Sequence, residues 1–105
     1  MSENIKTVEN EYIITFRSPI KWEETEYKSI DLSGLENLNG SQLCEIHKRF
    51  DALGLAAALK EQSPEFAAIA ANVVTGIPIE FFHFIPAREL NKIKNKVFNY
   101  FFTED

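Results

Sequence analysis

A cysteine and a histidine three residues apart, Cys44 and His47, are the most reactive pair of side chains in the sequence. On a helix this spacing places both on one face, where thiolate and imidazole can bind the same metal ion. A structural zinc site needs four ligands, however, and the other candidates are His83 and scattered acidic residues. A nucleophilic pair would need an orienting group and an oxyanion hole, for which the sequence has no motif. We therefore predict no metal and no catalytic residues.

Acidic and glycine residues give no stronger sign of a reaction. Glu23, Glu24 and Glu26 form an acidic cluster, but no glycine-bearing loop of calcium-binding spacing accompanies them, so we expect a solvated turn. The glycines are single residues at the ends of predicted elements, not a phosphate-binding loop: Gly34, Gly40, Gly54 and Gly76. We expect a protein that is not an enzyme and needs no cofactor.

Two strands are predicted after a polar N-terminal arm at residues 1–10. Residues 12–17 are rich in β-branched and aromatic side chains, which predicts a strand, and Pro19 is expected to end it. Residues 27–32 alternate apolar and polar side chains, and the polar segment that contains Trp22 is expected to connect the two strands. Because an isolated hairpin is marginally stable in water, we expect it to pack on helices.

The first helix has a well-defined start. Asn39 is predicted as its N-cap with Gln42 at N3, a variant of the capping box, and Leu38 and Leu43 stand at the positions of a hydrophobic staple. Gly54 is placed to end the helix in a left-handed conformation.

The second helix starts at residues 63–65, where serine caps, proline tolerates the first turn and glutamate complements the helix dipole. It is expected to run to Thr75 before Gly76. Its sequence is apolar on nearly every side, which is typical of a buried helix. We therefore predict the central helix of the fold, with Ile69 and Val73 in the core.

The remaining chain predicts a helical layer. Pro78 begins a short apolar segment, and Pro86 begins a last helix with an apolar stripe formed by Leu90, Ile93, Val97 and Phe101. Residues 55–62 favour a helix but do not fix one. The predicted fold class is α+β, an N-terminal hairpin packed on a small bundle of about four helices, in a single domain at residues 11–105.

Composition excludes several classes of protein. A chain of 105 residues has the size of a single domain. Its net charge of −5 disfavours binding to nucleic acid. It has no run of roughly 18 apolar residues that would span a membrane. A single cysteine allows no intramolecular disulfide, and residues 1–4 lack the features of a signal peptide, so we expect a cytosolic protein.

Aromatic residues are concentrated near the C-terminus, and this is the strongest functional signal. Phe98, Tyr100, Phe101 and Phe102 surround much of the last helix, so we expect some of them to be exposed and to bind another protein. Trp22 is a second candidate anchor, although it is equally expected to fold back on the helices. Copies of the same chain are a further candidate partner, because a small core leaves apolar surface uncovered.

The order and spacing of these features resemble the small tail assembly chaperones of Mu-like and related contractile-tailed phages. The resemblance covers residues 12–102, with Asn39 and Gln42 at a cap where a threonine and an acid are expected. It rests on five segments: Phe16-Arg17-Ser18-Pro19-Ile20, Tyr27-Lys28-Ser29-Ile30-Asp31-Leu32, Leu38-Asn39-Gly40-Ser41-Gln42-Leu43, Ser63-Pro64-Glu65-Phe66 with Ala70-Ala71 and Gly76-Ile77-Pro78, and Val97-Phe98-Asn99-Tyr100-Phe101-Phe102.

The resemblance implies a non-enzymatic factor of the host bacterial cytoplasm that is not part of the mature virion. It would keep the tape measure protein soluble while tail tube subunits assemble around it. The tail tube protein and a longer, frameshifted form of the chain itself are further partners that the resemblance implies.

We expect the hairpin and residues 81–102 to border a groove that takes an amphipathic helix of the tape measure protein. The predicted apolar anchors are Trp22, Phe98 and Phe102. Arg88, Lys92 and Lys96, four residues apart, are predicted to steer acidic segments of the partner. The alternative function is a small regulatory or toxin-neutralising protein that binds one folded partner.

Overall fold

A computed structural model describes residues 12–55 and 59–102, and in this part of the chain a β-hairpin is followed by four α-helices. The predicted α+β class is therefore confirmed. The elements are β1 (Ile13–Trp22), β2 (Thr25–Asp31), a 3₁₀ helix (Ser33–Asn37), α1 (Gly40–Ala52), a second 3₁₀ helix (Lys60–Gln62), α2 (Pro64–Thr75), α3 (Ile79–Phe84) and α4 (Ala87–Phe102). The predicted N-terminal arm and residues 56–58 lie outside the described residues.

The hairpin is antiparallel and closes through a two-residue turn. Ile14 pairs with Ile30, and Trp22 pairs with Thr25 across the turn at residues 23–24. Both turn residues are glutamates with positive φ, 50° and 70°, a conformation that matches the twist of a hairpin but that usually needs asparagine or glycine. The acidic cluster thus lies at the exposed tip of the hairpin.

The prediction that Pro19 ends the first strand is wrong, because β1 continues to Trp22. Thr15 pairs with Ser29 and the next paired residue of β1 is Ile20, opposite Tyr27, so a bulge interrupts the ladder between them. Proline is tolerated in a bulge because it has no N–H to contribute to the ladder there. We call residues 16–19 the β1 bulge.

The predicted start of α1 is confirmed in detail. The backbone N–H of Gln42 donates to Oδ1 of Asn39 at 2.8 Å, and the backbone N–H of Asn39 donates to Oε1 of Gln42 at 3.1 Å. These two bonds satisfy donors that a helix leaves without partners at its N-terminus. After the helix, Gly54 adopts the left-handed φ of 70° that the sequence predicts.

Helix α2 is the central helix, as predicted, and it packs against α1, α3 and α4. Ser63 caps it, and all six residues from Phe66 to Ala71 are buried. Ile69 is buried as expected, but Val73 is only half-buried and lies at the margin of the core. The periodicity did not reveal that neighbouring elements cover residues 66–71 of α2 more completely than its last turn.

Phe81 of α3 joins the hairpin to the helical layer. Its ring centroid lies 4.6 Å from that of Tyr27, 5.6 Å from that of Trp22 and 6.3 Å from that of Phe16. Aromatic pairs at these distances stabilise a fold beyond the area that they bury. No helix of the described part of the chain is long and apolar enough to cross a membrane.

Candidate partner-binding surface

Helix α4 runs antiparallel to β1, which sets where each candidate residue lies. Three contacts join α4 to β1 and to Tyr12, the residue before β1, in reverse order of sequence. The backbone N–H of Arg17 donates to Glu89, Nζ of Lys92 donates to the carbonyl oxygen of Thr15, and the ammonium of Lys96 lies 5.5 Å from the ring centre of Tyr12. The start of α4 is therefore at the β1 bulge, and its end lies beyond the first residue of β1.

Glu89 is the one buried charged side chain among the described residues, with 2% of its surface exposed. Its Oε2 accepts a hydrogen bond from the Arg17 N–H at 2.8 Å. Nζ of Lys92 lies 2.9 Å from Oε1 in an ion pair whose angles are not those of a hydrogen bond. Burial acts to raise the pKa of the Glu89 carboxyl, but the Arg17 N–H and the charges of Lys92 and Arg88 outweigh it. The pKa therefore lies below its ordinary value, and Glu89 is ionised at neutral pH.

The three basic residues predicted to steer a partner, Arg88, Lys92 and Lys96, have two kinds of surroundings. Lys92 and Lys96 are engaged within the protein, with Glu89 and Thr15 in the first case and Tyr12 in the second. Arg88 is exposed and has no ion-pair partner among the described residues. Lys94, which the sequence analysis did not select, is half-buried and is equally without an acidic partner there.

Two of the three predicted anchors form one exposed apolar surface, which we call the Phe98–Phe102 surface. The rings of Phe98 and Phe102 lie 4.6 Å apart on successive turns of α4, and Phe102 is 51% exposed. Phe101 faces the other way and packs edge-on against Phe66 of α2 at 5.6 Å. Part of the C-terminal aromatic cluster thus completes the core while part remains uncovered.

Trp22 is not part of this surface. It is half-buried against Phe81 of α3, which fits the alternative that it folds back on the helices. The contact of Lys96 with Tyr12 places the end of α4 beside the start of β1. Trp22 is the last residue of β1, on the order of 30 Å from Tyr12. Because β1 runs antiparallel to α4, Trp22 and Phe102 lie at opposite ends of the molecule. The structure does not bring the three predicted anchors into one groove.

A further group of exposed apolar side chains follows α1. Leu53, Leu55 and Leu59 are 49%, 48% and 43% exposed. Leu53 follows Ile46 and Phe50 at helical spacing, but α1 ends at Ala52 and Leu53 is exposed. The sequence feature that indicated the exposure of Leu53 was the end of the helix predicted at Gly54.

The reactive side chains identified from the sequence are dispersed. Cys44 is exposed, while the ring of His47 packs on Phe66 at 5.1 Å. His83 pairs instead with Glu65, its Nε2 lying 3.1 Å from the carboxylate. Within residues 12–55 and 59–102 no three His, Cys, Asp or Glu side chains are grouped to hold a metal ion.

Comparison with known proteins adds no further information, because no family model, no curated protein and no solved structure matches this chain. The fold and the surface define a small α+β domain whose C-terminal helix carries lysines and an exposed aromatic end.

Proposed function

We propose that this protein is a phage tail assembly chaperone, which binds an amphipathic helix of the tape measure protein through the Phe98–Phe102 surface. The observation that carries the proposal is the exposure of Phe102, 51%, beside Phe98 on the same face of α4. The protein acts in the cytoplasm of the bacterial host, has no enzymatic activity and does not become part of the virion.

The energetics favour a partner at this surface. Burying a phenylalanine side chain stabilises a complex by about 1.5 to 3 kcal/mol, and aromatic residues are among the commonest anchors of protein interfaces. Two rings four residues apart present apolar anchors at the spacing used when one helix packs on another. A partner helix with an apolar stripe would cover both rings at once.

The charge of α4 complements the same kind of partner. After Glu89 the described part of this helix carries lysines at three positions and no acidic residue: Lys92, Lys94 and Lys96. An amphipathic helix with acidic side chains beside its apolar stripe would therefore be attracted to α4.

The tape measure protein is chosen as the partner because of the resemblance of residues 12–102 to the tail assembly chaperones of Mu-like phages. A chaperone gene is expected between the genes for the tail tube and the tape measure protein. The gene of a regulatory or toxin-neutralising protein is expected elsewhere.

Co-expression with the tape measure protein, or with helical fragments of it, tests the proposal. We expect this chain to raise the soluble yield of the partner and to co-purify with it. The double substitution Phe98→Ser with Phe102→Ser is expected to abolish both effects. Phe84→Ser is the matched control, because Phe84 is 57% exposed on α3, away from this surface.

Thermal unfolding of each variant establishes that it is folded before binding is compared. A tape measure protein that is equally soluble alone and never co-purifies would show that the chaperone proposal is wrong. If the partner co-purifies equally with the double variant and with Phe84→Ser, the function stands and the choice of surface is wrong.

A further inference from the structure

A cleft at the start of α4 contains side chains that the proposed function does not use. It lies between residues 17–20 of β1 and residues 86–89, and its volume is about 520 Å³. The Phe98–Phe102 surface is at the other end of the same helix, so the two are separate.

The shape of this cleft is fixed by the fold. The β1 bulge moves Ser18 and Pro19 out of the ladder with β2, and the hydrogen bond from the Arg17 N–H to Glu89 holds the bulge against the first turn of α4. Glu89, which joins the two walls, is buried, and its partner Lys92 is exposed.

Two arginines give the cleft its charge. Arg17 and Arg88 are both exposed, line the cleft from opposite walls and have no ion-pair partner among the described residues. The chain as a whole carries a net charge of −5, so this is a positive site on an acidic protein. A guanidinium presents a planar fork of donors that matches a carboxylate.

The rest of the lining is largely apolar. Pro19 and Ile20 contribute from β1, and Pro86 and Ala87 contribute from the start of α4. The lining therefore suits a carboxylate that has an apolar neighbour.

We propose that this cleft binds an acidic side chain of a partner protein together with an apolar residue next to it in that partner's sequence. The carboxylate lies between Arg17 and Arg88, and the apolar neighbour packs on Pro19 and Pro86. The proposal does not depend on which protein supplies the segment.

A titration of the ¹⁵N-labelled protein with the peptide acetyl-Leu-Asp-Leu-amide tests this proposal. We expect saturable shifts of the backbone N–H signals of Arg17, Ser18, Ala87 and Arg88. The matched probe acetyl-Leu-Asn-Leu-amide, which lacks only the charge, is expected to leave these signals unchanged. Arg17→Gln and Arg88→Gln are each expected to weaken peptide binding about tenfold, as for the loss of one charged contact, whereas Lys48→Gln on α1 is expected to have no effect.

Three results would overturn the proposal: shifts that do not saturate, equal shifts with the asparagine peptide, or displacement of the peptide by inorganic phosphate at equal concentration, which indicates a general anion site. None of these results bears on the chaperone proposal, which is tested by co-purification and by the substitutions at Phe98 and Phe102.

Discussion

The backbone N–H of Arg17 donates to the carboxylate of Glu89 at 2.8 Å, and this bond joins the β1 bulge to the first turn of α4. In the bulge, Arg17 has no paired residue on β2. The carboxylate of Glu89, 72 residues later in the sequence, accepts the Arg17 N–H instead. A buried backbone N–H without an acceptor would cost free energy comparable to a lost hydrogen bond. Glu89 therefore stabilises the contact between the hairpin and the last helix at the bulge, and the bond from Lys92 to the Thr15 carbonyl joins the same two elements one turn later.

Replacing Glu89 is expected to destabilise the protein. Glu89→Ala removes the acceptor for Arg17 and the counter-ion of Lys92, and we expect it to lower the free energy of unfolding by about 2 to 4 kcal/mol. Glu89→Gln keeps an acceptor but loses the charge, so its effect should be smaller. Urea denaturation measures both, with Asn91→Ala, at an exposed position of the same helix, as the control. A Glu89→Ala midpoint equal to that of the control would contradict this role.

Stability is also expected to depend on pH through Glu89. Because the pKa of Glu89 is lower in the folded protein than its ordinary value of 4.5, ionised Glu89 contributes stability at neutral pH. That contribution is lost as the pH falls below about 4.5 toward the folded pKa. The difference in unfolding free energy between the wild type and Glu89→Gln should therefore shrink as the pH is lowered from 7 to 3. A constant difference across this range would show that the carboxylate charge contributes nothing.

The helix ends were predictable from sequence because their signals are local. Side chains of Asn39 and Gln42 in α1 and of Ser63 in α2 accept the first N–H groups whatever the surroundings, and Pro64 has no N–H that needs an acceptor. Gly76 has the φ of 78° that ends α2. The β1 bulge was not predictable in the same way. A proline after a strand usually ends it, and the compensating acceptor, Glu89, is distant in sequence.

The candidate site was predictable only in part, for a similar reason. The aromatic excess of the last helix indicated that some rings are exposed, and the structure selects Phe102 over Phe101. The sequence analysis predicted Lys92 as a residue that steers a partner, and only the antiparallel packing of β1 on α4 shows that Lys92 is engaged with Glu89 and Thr15.

Burial along α2 predicts a graded response to truncation. Ile69 is 4% exposed near the middle of the helix, so Ile69→Ala should lower the free energy of unfolding by about 2 to 5 kcal/mol. Val73 is half-buried at the margin of the core, and Val73→Ala should cost only about 1 kcal/mol. Urea denaturation of the two variants under identical conditions measures the order. Equal costs would show that the last turn of α2 is as tightly packed as its middle.

The hairpin turn offers a stabilising substitution. Glu23 and Glu24 both adopt positive φ, which costs a residue with a side chain on the order of 1 kcal/mol. Glu23→Asn together with Glu24→Gly installs the pair that this turn favours, and we expect a net gain of about 1 kcal/mol after the greater flexibility of glycine in the unfolded chain is included. Glu23→Gln with Glu24→Gln removes the same two negative charges and keeps a side chain at both positive-φ positions, so it controls for charge. A gain of the same size in this double variant would assign the effect to charge and not to the backbone.

The proposed partner surface predicts that charge and apolar contact act on different rate constants. Lys94 has no acidic partner within the described part of α4 and is not engaged with β1, so Lys94→Glu should slow association with a co-purifying tape measure fragment without disturbing the fold. Phe102→Ala removes an apolar anchor whose exposed half is covered only in the complex, so it should mainly speed dissociation. Surface plasmon resonance at low and high salt separates the two, because only the Lys94 effect should diminish as salt screens it. If Lys94→Glu changes only the dissociation rate, with no dependence on salt, lysine steering plays no part in recognition and the Phe98–Phe102 surface binds its partner by apolar contact alone.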